Sequence, residues 1–177
     1  MTRRGSPSWP RFSPDFRAFG PTDSRFDHHL PPRRVQSRKI LYCADVGPTC
    51  VADVFQATRT VDRSLNAPWL ACFELGRDVS LLDLTGAWAT RAGASTAIHS
   101  GSRARARRWS AAVYEAYPAI DGIAYCSSMD ANRAAYALFE RASSAMPKNP
   151  SLNRALADPA LTRSLDNAAR RFGFVVV

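Results

Sequence analysis

The sequence predicts an α+β fold: one domain of mixed, mostly antiparallel sheet with flanking helices. Three observations carry that expectation. Short apolar runs follow one another without a helix between them at WLACFEL (69–75) and VSLLDL (79–84), which favours antiparallel pairing. Helix-length segments occur elsewhere, at 48–59, 103–117 and 159–171. A chain of 177 residues with 46% hydrophobic and 22% charged residues suits one globular core.

The elements follow in order. Residues 1–38 carry six prolines among Arg and Ser, so 1–15 reads as a flexible Arg/Pro-rich tail and 16–177 as the folded domain. KILYCA (39–44) is a strand, Gly47 and Pro48 break it, and PTCVADVFQATR (48–59) is a helix. After the strands at 69–75 and 79–84, DLTGAWATRAGAS reads as a loop. The helix at 103–117 is expected to bury Trp109, Ala112, Val113, Ala116 and Tyr117, which recur at i, i+3, i+4, i+7 and i+8. GIAYCS (122–127) and AYALFE (135–140) are strands, a helix occupies about 159–171, and FGFVVV closes the chain as a strand.

Composition removes several function classes. No run approaches the roughly 18 apolar residues that span a bilayer, and the first twenty residues lack an apolar secretory core, so the reading is a soluble, cytoplasmic protein without membrane contact. Cys43, Cys50, Cys72 and Cys126 stand singly, without CxxC spacing or a histidine partner, and read as buried free thiols; no metal is expected. Residues 1–39 hold nine Lys and Arg against three Asp, so +6 of the +9 net charge lies in the first fifth of the chain. The one dense basic cluster beyond it, RARARR (103–108), opens a helix and reads as its solvated face or, alternatively, as facing a ligand or partner, and no nucleic-acid-binding motif accompanies it; nucleic acid is not the expected partner. Gly-rich phosphate loops, GxSxG and HExxH are absent.

One residue resists these bland readings. Asp53 is the only carboxylate in a helix of Cys50, Val51, Ala52, Val54 and Phe55, and a buried, unpaired carboxylate is strongly unfavourable. The other polar groups in apolar surroundings are Arg25 in SRFDHH, Tyr42 at a strand end, and Ser127 with Ser128 after GIAYC. Taken singly, Tyr42 and Tyr125 are core-edge residues, Ser127 is a turn or cap, and Asp53 is the partner of a structural arginine. His28 and His29 read as surface residues, or as lining an entrance, and His99 as a loop histidine.

In combination, Arg25 with Phe26 and Asp27, the LYCAD strand, the TCVADVF helix and DGIAYCSS resemble the RES domain family, named for an Arg, a Glu and a Ser. That pattern places an acidic residue eleven positions after the strand tyrosine, the separation of Tyr42 and Asp53, and ends with a serine at the position of Ser127. DLTG (83–86) resembles a further strand of the family, and the likeness spans about residues 17–142. The acidic position departs from the family: Asp53 stands where Glu is usual, one methylene shorter. Arg11 and Arg17 compete for the place of a second site arginine.

The resemblance implies a fold like that of ADP-ribosyltransferases, a RES domain over 16–177, and a bacterial toxin held in check by an Xre-type helix-turn-helix antitoxin. It implies NAD as substrate, cleaved at the nicotinamide–ribose bond with water or phosphate as acceptor, some relatives modifying a protein instead. The implied catalytic residues are Asp53, Arg25 and Ser127, and the implied NAD-binding residues Arg25, Tyr42 and Ser127. The residue types suit the chemistry. A departing nicotinamide leaves an oxocarbenium-like sugar that a carboxylate stabilises, and a pyrophosphate calls for the forked donors of an arginine. An alternative from another class is a catalytically weak binding module whose basic N-terminal region contacts a protein or nucleic-acid partner.

Overall fold

A computed structural model describes residues 15–130 and 133–177. The expected tail, including Arg11, lies outside the described residues up to position 14. The architecture is mixed α and β. A five-stranded sheet has the order β1-β2-β7-β6-β5, formed by Arg17–Gly20 (β1), Arg34–Ala44 (β2), Leu81–Asp83 (β5), Gly122–Cys126 (β6) and Ala134–Phe139 (β7). All its pairings are antiparallel except β5 with β6. Two small ladders flank it: Trp69–Cys72 (β4) runs antiparallel to Leu152–Ala155 (β8), and Thr60–Val61 (β3) runs parallel to Val175–Val176 (β9).

Register explains how the sheet prepares a site. Ile40 faces Phe139, Tyr42 faces Ala137 and Ala44 faces Ala135, while Ile123 and Tyr125 meet the same two alanines from the other side. Side chains two apart share a face, so Tyr42, Ala44 and Tyr125 stand together beside the small residues of the central strand. The strands are close enough that a Cβ on Gly122 would meet the Ala137 carbonyl oxygen at 2.5 Å. Helices Ala97–Ser100 (α3) and Arg103–Ala116 (α4) pack on one another, and their Ile98 and Val113 join Phe26, Leu84, Ile123 and Phe139 in the first core. A second core lies between Gly47–Phe55 (α1) and Thr162–Phe172 (α5), with Val51, Val61, Leu165 and Phe174. Each such buried side chain contributes about 1.5–3 kcal/mol by leaving water.

Several expectations need correction. The helix at 48–59 ends at Phe55, and Val54 is 70% exposed, so α1 is buried on one side only. β2 begins at Arg34, because its first half pairs with the edge strand β1 and carries polar residues that no apolar run betrays. The strands at 69–75 and 79–84 shorten to β4 and β5, and the expected loop after Leu84 contains a turn of helix, Trp88–Arg91 (α2). On α4 the buried positions are Ala106, Ser110 and Val113, with Ala112, Ala116 and Tyr117 exposed. The helix begins in polar residues, so its inward face is read correctly only once Ser110, which donates to the Phe26 carbonyl at 2.7 Å, is counted inside. All four cysteines are free, as expected, but none is fully buried: Cys43, Cys50 and Cys126 are partly exposed and Cys72 is exposed.

The histidines differ most. His28 and His29 are 0% and 4% exposed, not at the surface. Phe26 adopts a left-handed backbone, φ 62°, which directs its own ring onto Tyr125 and carries the next residues inward. There Asp27 takes an ion pair from Arg17 at 3.1 Å and hydrogen bonds from Thr22 and from His29, whose Nδ1 lies at 2.5 Å. His99 is buried in α3, not in a loop. Its Nδ1 accepts from the Cys126 N–H at 3.4 Å, which leaves Nε2 to donate to the Leu84 carbonyl at 3.1 Å.

Candidate active site

α1 leaves the end of β2 through Asp45 and Val46, with Pro48 in its first turn supplying a preset φ. The helix therefore stands over the strand end, and Asp53, half-buried, faces the sheet residues Tyr42, Ala44 and Tyr125. Between them is an open pocket of about 440 Å³, lined also by Arg25 and Arg103. Tyr42, Cys43, Ala44, Cys50 and Val54 are shared with a neighbouring groove of about 940 Å³ that runs past Trp69 and Tyr136.

Each polar group is held in place. The Arg25 guanidinium donates from Nη1 to the carbonyls of Ile98 at 3.2 Å and Gly101 at 2.9 Å, so α3 and the residue that ends it fix the arginine. Tyr42 donates its hydroxyl to the Arg25 carbonyl at 2.8 Å, tying the loop to β2. Asp53 Oδ1 accepts from the Ser127 hydroxyl at 2.9 Å, and that hydroxyl accepts in turn from the Met129 N–H at 3.1 Å. Arg103 donates to Gln56 Oε1 at 2.5 Å, and Gln56 donates to the Asp53 carbonyl at 2.6 Å, closing the wall between α4 and the end of α1.

The electrostatics are those of a half-open pocket that sets two arginines, Arg25 and Arg103, against two aspartates, Asp53 and Asp23. Neither Arg25 nor Arg103 makes an ion pair among the described residues. Burial and then the neighbouring Arg103 charge lower the Arg25 pKa from its ordinary value. Burial raises the Asp53 pKa; the Ser127 hydrogen bond opposes it, the Asp130 charge adds to it, and Arg25 and Arg103 oppose it. Cys50 and Tyr125 also line the pocket with pKa values raised by burial, so both are neutral at pH 7. Two guanidiniums free of ion pairs, two phenol rings and the Asp53 carboxylate thus share a cavity, with a second carboxylate, Asp23, also in the lining and paired with Arg107 at 3.4 Å. That set can hold a polyanion at one end and stabilise positive charge at the other.

Of the residues singled out in the sequence, Arg25, Tyr42 and Asp53 meet in this pocket. Arg25 and Asp53 do not form a direct ion pair; the pocket lies between their functional ends. Ser127, 2% exposed, stands behind Asp53 and touches the cavity only through it, while Ser128 lines the wall. Arg17 is engaged by Asp27, away from the lining. Arg103 also lines the pocket, so for this arginine the ligand-facing alternative fits better than the solvated face, and the sequence did not single it out from its cluster. Its signal was its position in the first turn of α4, directly after the Ser102 cap, where a helix start favours anions.

Fold and site together define an α and β protein with an open pocket in which two arginines, Arg25 and Arg103, share the lining with the Asp53 carboxylate. A family model described as RES domain matches residues 2–164 of the chain. The protein therefore belongs to the RES domain family, which is associated with NAD-related toxin activity and known from toxin–antitoxin pairs. No curated protein and no solved structure matches it. Among the described residues no helix is long and apolar enough to cross a membrane, and no cluster of three His, Cys, Asp or Glu could hold a metal ion.

Proposed function

We propose that the chain is a RES-type, toxin-like enzyme that breaks the nicotinamide–ribose bond of NAD, as a glycohydrolase or a phosphorylase. The observation that carries the reading is the pocket in which Asp53 faces Arg25 and Arg103 across space large enough for a ligand. The two guanidiniums take the pyrophosphate, whose charge they can neutralise without first breaking an ion pair. Tyr42 and Tyr125 offer apolar faces to the rings, and the adjoining groove past Trp69 and Tyr136 accommodates the rest of the dinucleotide.

In this reading the bond from ribose C1 to the pyridinium nitrogen breaks with its electron pair leaving on nicotinamide, which departs neutral. Positive charge develops on C1 and the ring oxygen, and the Asp53 carboxylate stabilises it. Ser127 holds that carboxylate in position from behind. The oxygen of water or phosphate then bonds to C1, and with water the products are ADP-ribose, nicotinamide and one proton. An ADP-ribosyltransferase-like fold, a single RES domain over 16–177, a cytoplasmic location and an Xre-type antitoxin belong to the same proposal, and family membership supports them. The test is release of nicotinamide from NAD by purified folded protein, with and without phosphate. Release in either buffer is expected; none above background in both would remove the reading.

A further inference from the structure

We propose that Arg171, Asp130 and Thr49 are positioning residues for Asp53, fixing the helix that carries it to the turn that carries Ser127. This inference rests on the reading of Asp53 as the carboxylate that serves NAD cleavage.

The geometry is a two-point attachment. Thr49 and Asp53 lie four residues apart on α1, hence on one face and about 6 Å apart along the axis. The turn after β6 meets that face twice. Ser127 donates to Asp53 at 2.9 Å, and three residues on Asp130 Oδ2 accepts from the Thr49 hydroxyl at 2.5 Å. The turn is itself closed by Ser127 N–H to the Arg133 carbonyl and Arg133 N–H to the Asp130 carbonyl, both at 2.7 Å. Thr49 and Asp130 are 0% and 1% exposed. A carboxylate so buried needs a counter-charge, and Arg171 supplies it from α5, its Nη2 2.6 Å from Asp130 Oδ1. Arg171 occupies the last turn of α5, which Gly173 ends in a left-handed conformation, φ 67°. It lies beyond the residues that the family model matches.

Arg171 thus has two effects on a residue it does not touch. It keeps Asp130 seated, so that α1 stays in register with Ser127. It also neutralises a carboxylate, Asp130, that opposes ionisation of Asp53. The other titratable groups around Asp53 are Asp23 and Arg25 from the loop after β1, Tyr42 and Cys43 from β2, Arg103 from α4, Tyr125 from β6 and Cys50 from α1 itself; none of them is bonded to Arg171.

The experiment compares wild-type protein with Arg171→Met and Arg171→Lys, all assayed for nicotinamide release across pH at a temperature where thermal scans show each to be folded. Arg171→Met is expected to lose on the order of 10-fold or more in kcat, with KM within about twofold because Arg25 and Arg103 are untouched, and to move the acid limb of the profile to higher pH. Arg171→Lys should restore both. A Met variant with wild-type kcat and an unmoved acid limb overturns the proposal, as does a loss confined to KM. Titration of the Asp53 carboxyl by carbon NMR reads the same coupling without turnover: its midpoint should rise in Arg171→Met and return in Arg171→Lys. An unchanged midpoint overturns the positioning role even if the wild type cleaves NAD. Absence of cleavage by the wild type with a shifted midpoint overturns the proposed activity alone. If Arg171→Met does not fold, Asp130→Asn takes its place, with a lower Asp53 midpoint and a lower kcat expected, and unchanged values of both refuting the claim.

Discussion

Replacing His28 by Phe should make the protein less sensitive to acid. The His28 ring is fully buried, stacked on Tyr114 at 4.5 Å between centroids and tilted against Phe139 at 4.6 Å. Neither ring nitrogen has a hydrogen-bond partner, and the nearest carboxylate, Glu140, is 3.9 Å away. Burial, followed by the charges of His29 and Arg38, pushes its pKa down to about 3. In the unfolded chain it titrates near 6.5. The unfolded state therefore binds the proton first as pH falls: the stability is complete above 6.5 and is lost progressively from 6.5 down to about 3. At about pH 5 the loss is on the order of 2 kcal/mol relative to about pH 7.5, since each pH step between the two pKa values is worth about 1.4 kcal/mol. For a chain of this size that is about 4–8 °C in Tm. The ring of His28→Phe can keep the stack and leaves no polar atoms unpaired. Thermal unfolding followed by circular dichroism at the two pH values should show the wild type losing more Tm than the variant by about that amount. Asp27, which burial pushes up but hydrogen bonds from Thr22 and His29 together hold down to about 2, loses its contribution only as pH falls below about 3.8 toward 2, so this window isolates the histidine. His99 contributes equally to both proteins. Parallel losses in wild type and variant would refute the account of His28 as a neutral, desolvated ring.

Three further outcomes follow from the site. Ser127→Ala removes the hydrogen bond to the ionised Asp53 and should raise the acid limb of NAD cleavage by about one to two pH units, because a bond to a charged group is worth about 1.5–3 kcal/mol; a pH–rate profile that does not move would contradict the Ser127 assignment. Arg103→Ala should raise KM for NAD about 10-fold or more with little change in kcat, reading out a phosphate contact made equally in ground and transition states; unchanged KM would return Arg103 to the solvated face. Asp53→Glu, which restores the family's usual side chain, should retain cleavage, measured as nicotinamide released; a dead but stable Glu variant would show that the position of α1 is matched to the shorter arm.

The sequence made the strands of the main sheet legible where both faces or one face are apolar, as in ILYCA and GIAYC, and it placed Arg25, Tyr42 and Asp53 in the order that brings them to one pocket. It hid what depends on tertiary contact. β1, β3 and β8 are two to four residues long and have no apolar period to detect. His28 and His29 look polar in a row, and only the reversal at Phe26 buries them. Ser127 was visible as a candidate, but its place behind Asp53 was not, because the distinction between lining a cavity and supporting a residue that lines it is set by the turn through Met129. Arg103 and Arg171 owe their significance to partners 47 and 41 positions away in sequence, Gln56 and Asp130.

The central claim is that the Asp53 carboxylate stabilises the positive charge that develops on the ribose as the nicotinamide–ribose bond breaks. The direct measurement is nicotinamide released from NAD by wild-type protein and by Asp53→Asn, followed by proton NMR at pH 7 on samples matched in Tm. Asn keeps the shape and loses the charge, so the variant should retain less than about a hundredth of the wild-type rate, the scale set by removing one electrostatic stabiliser of a transition state. Equal release by the two proteins would contradict the claim, since the negative charge at position 53 would then be dispensable.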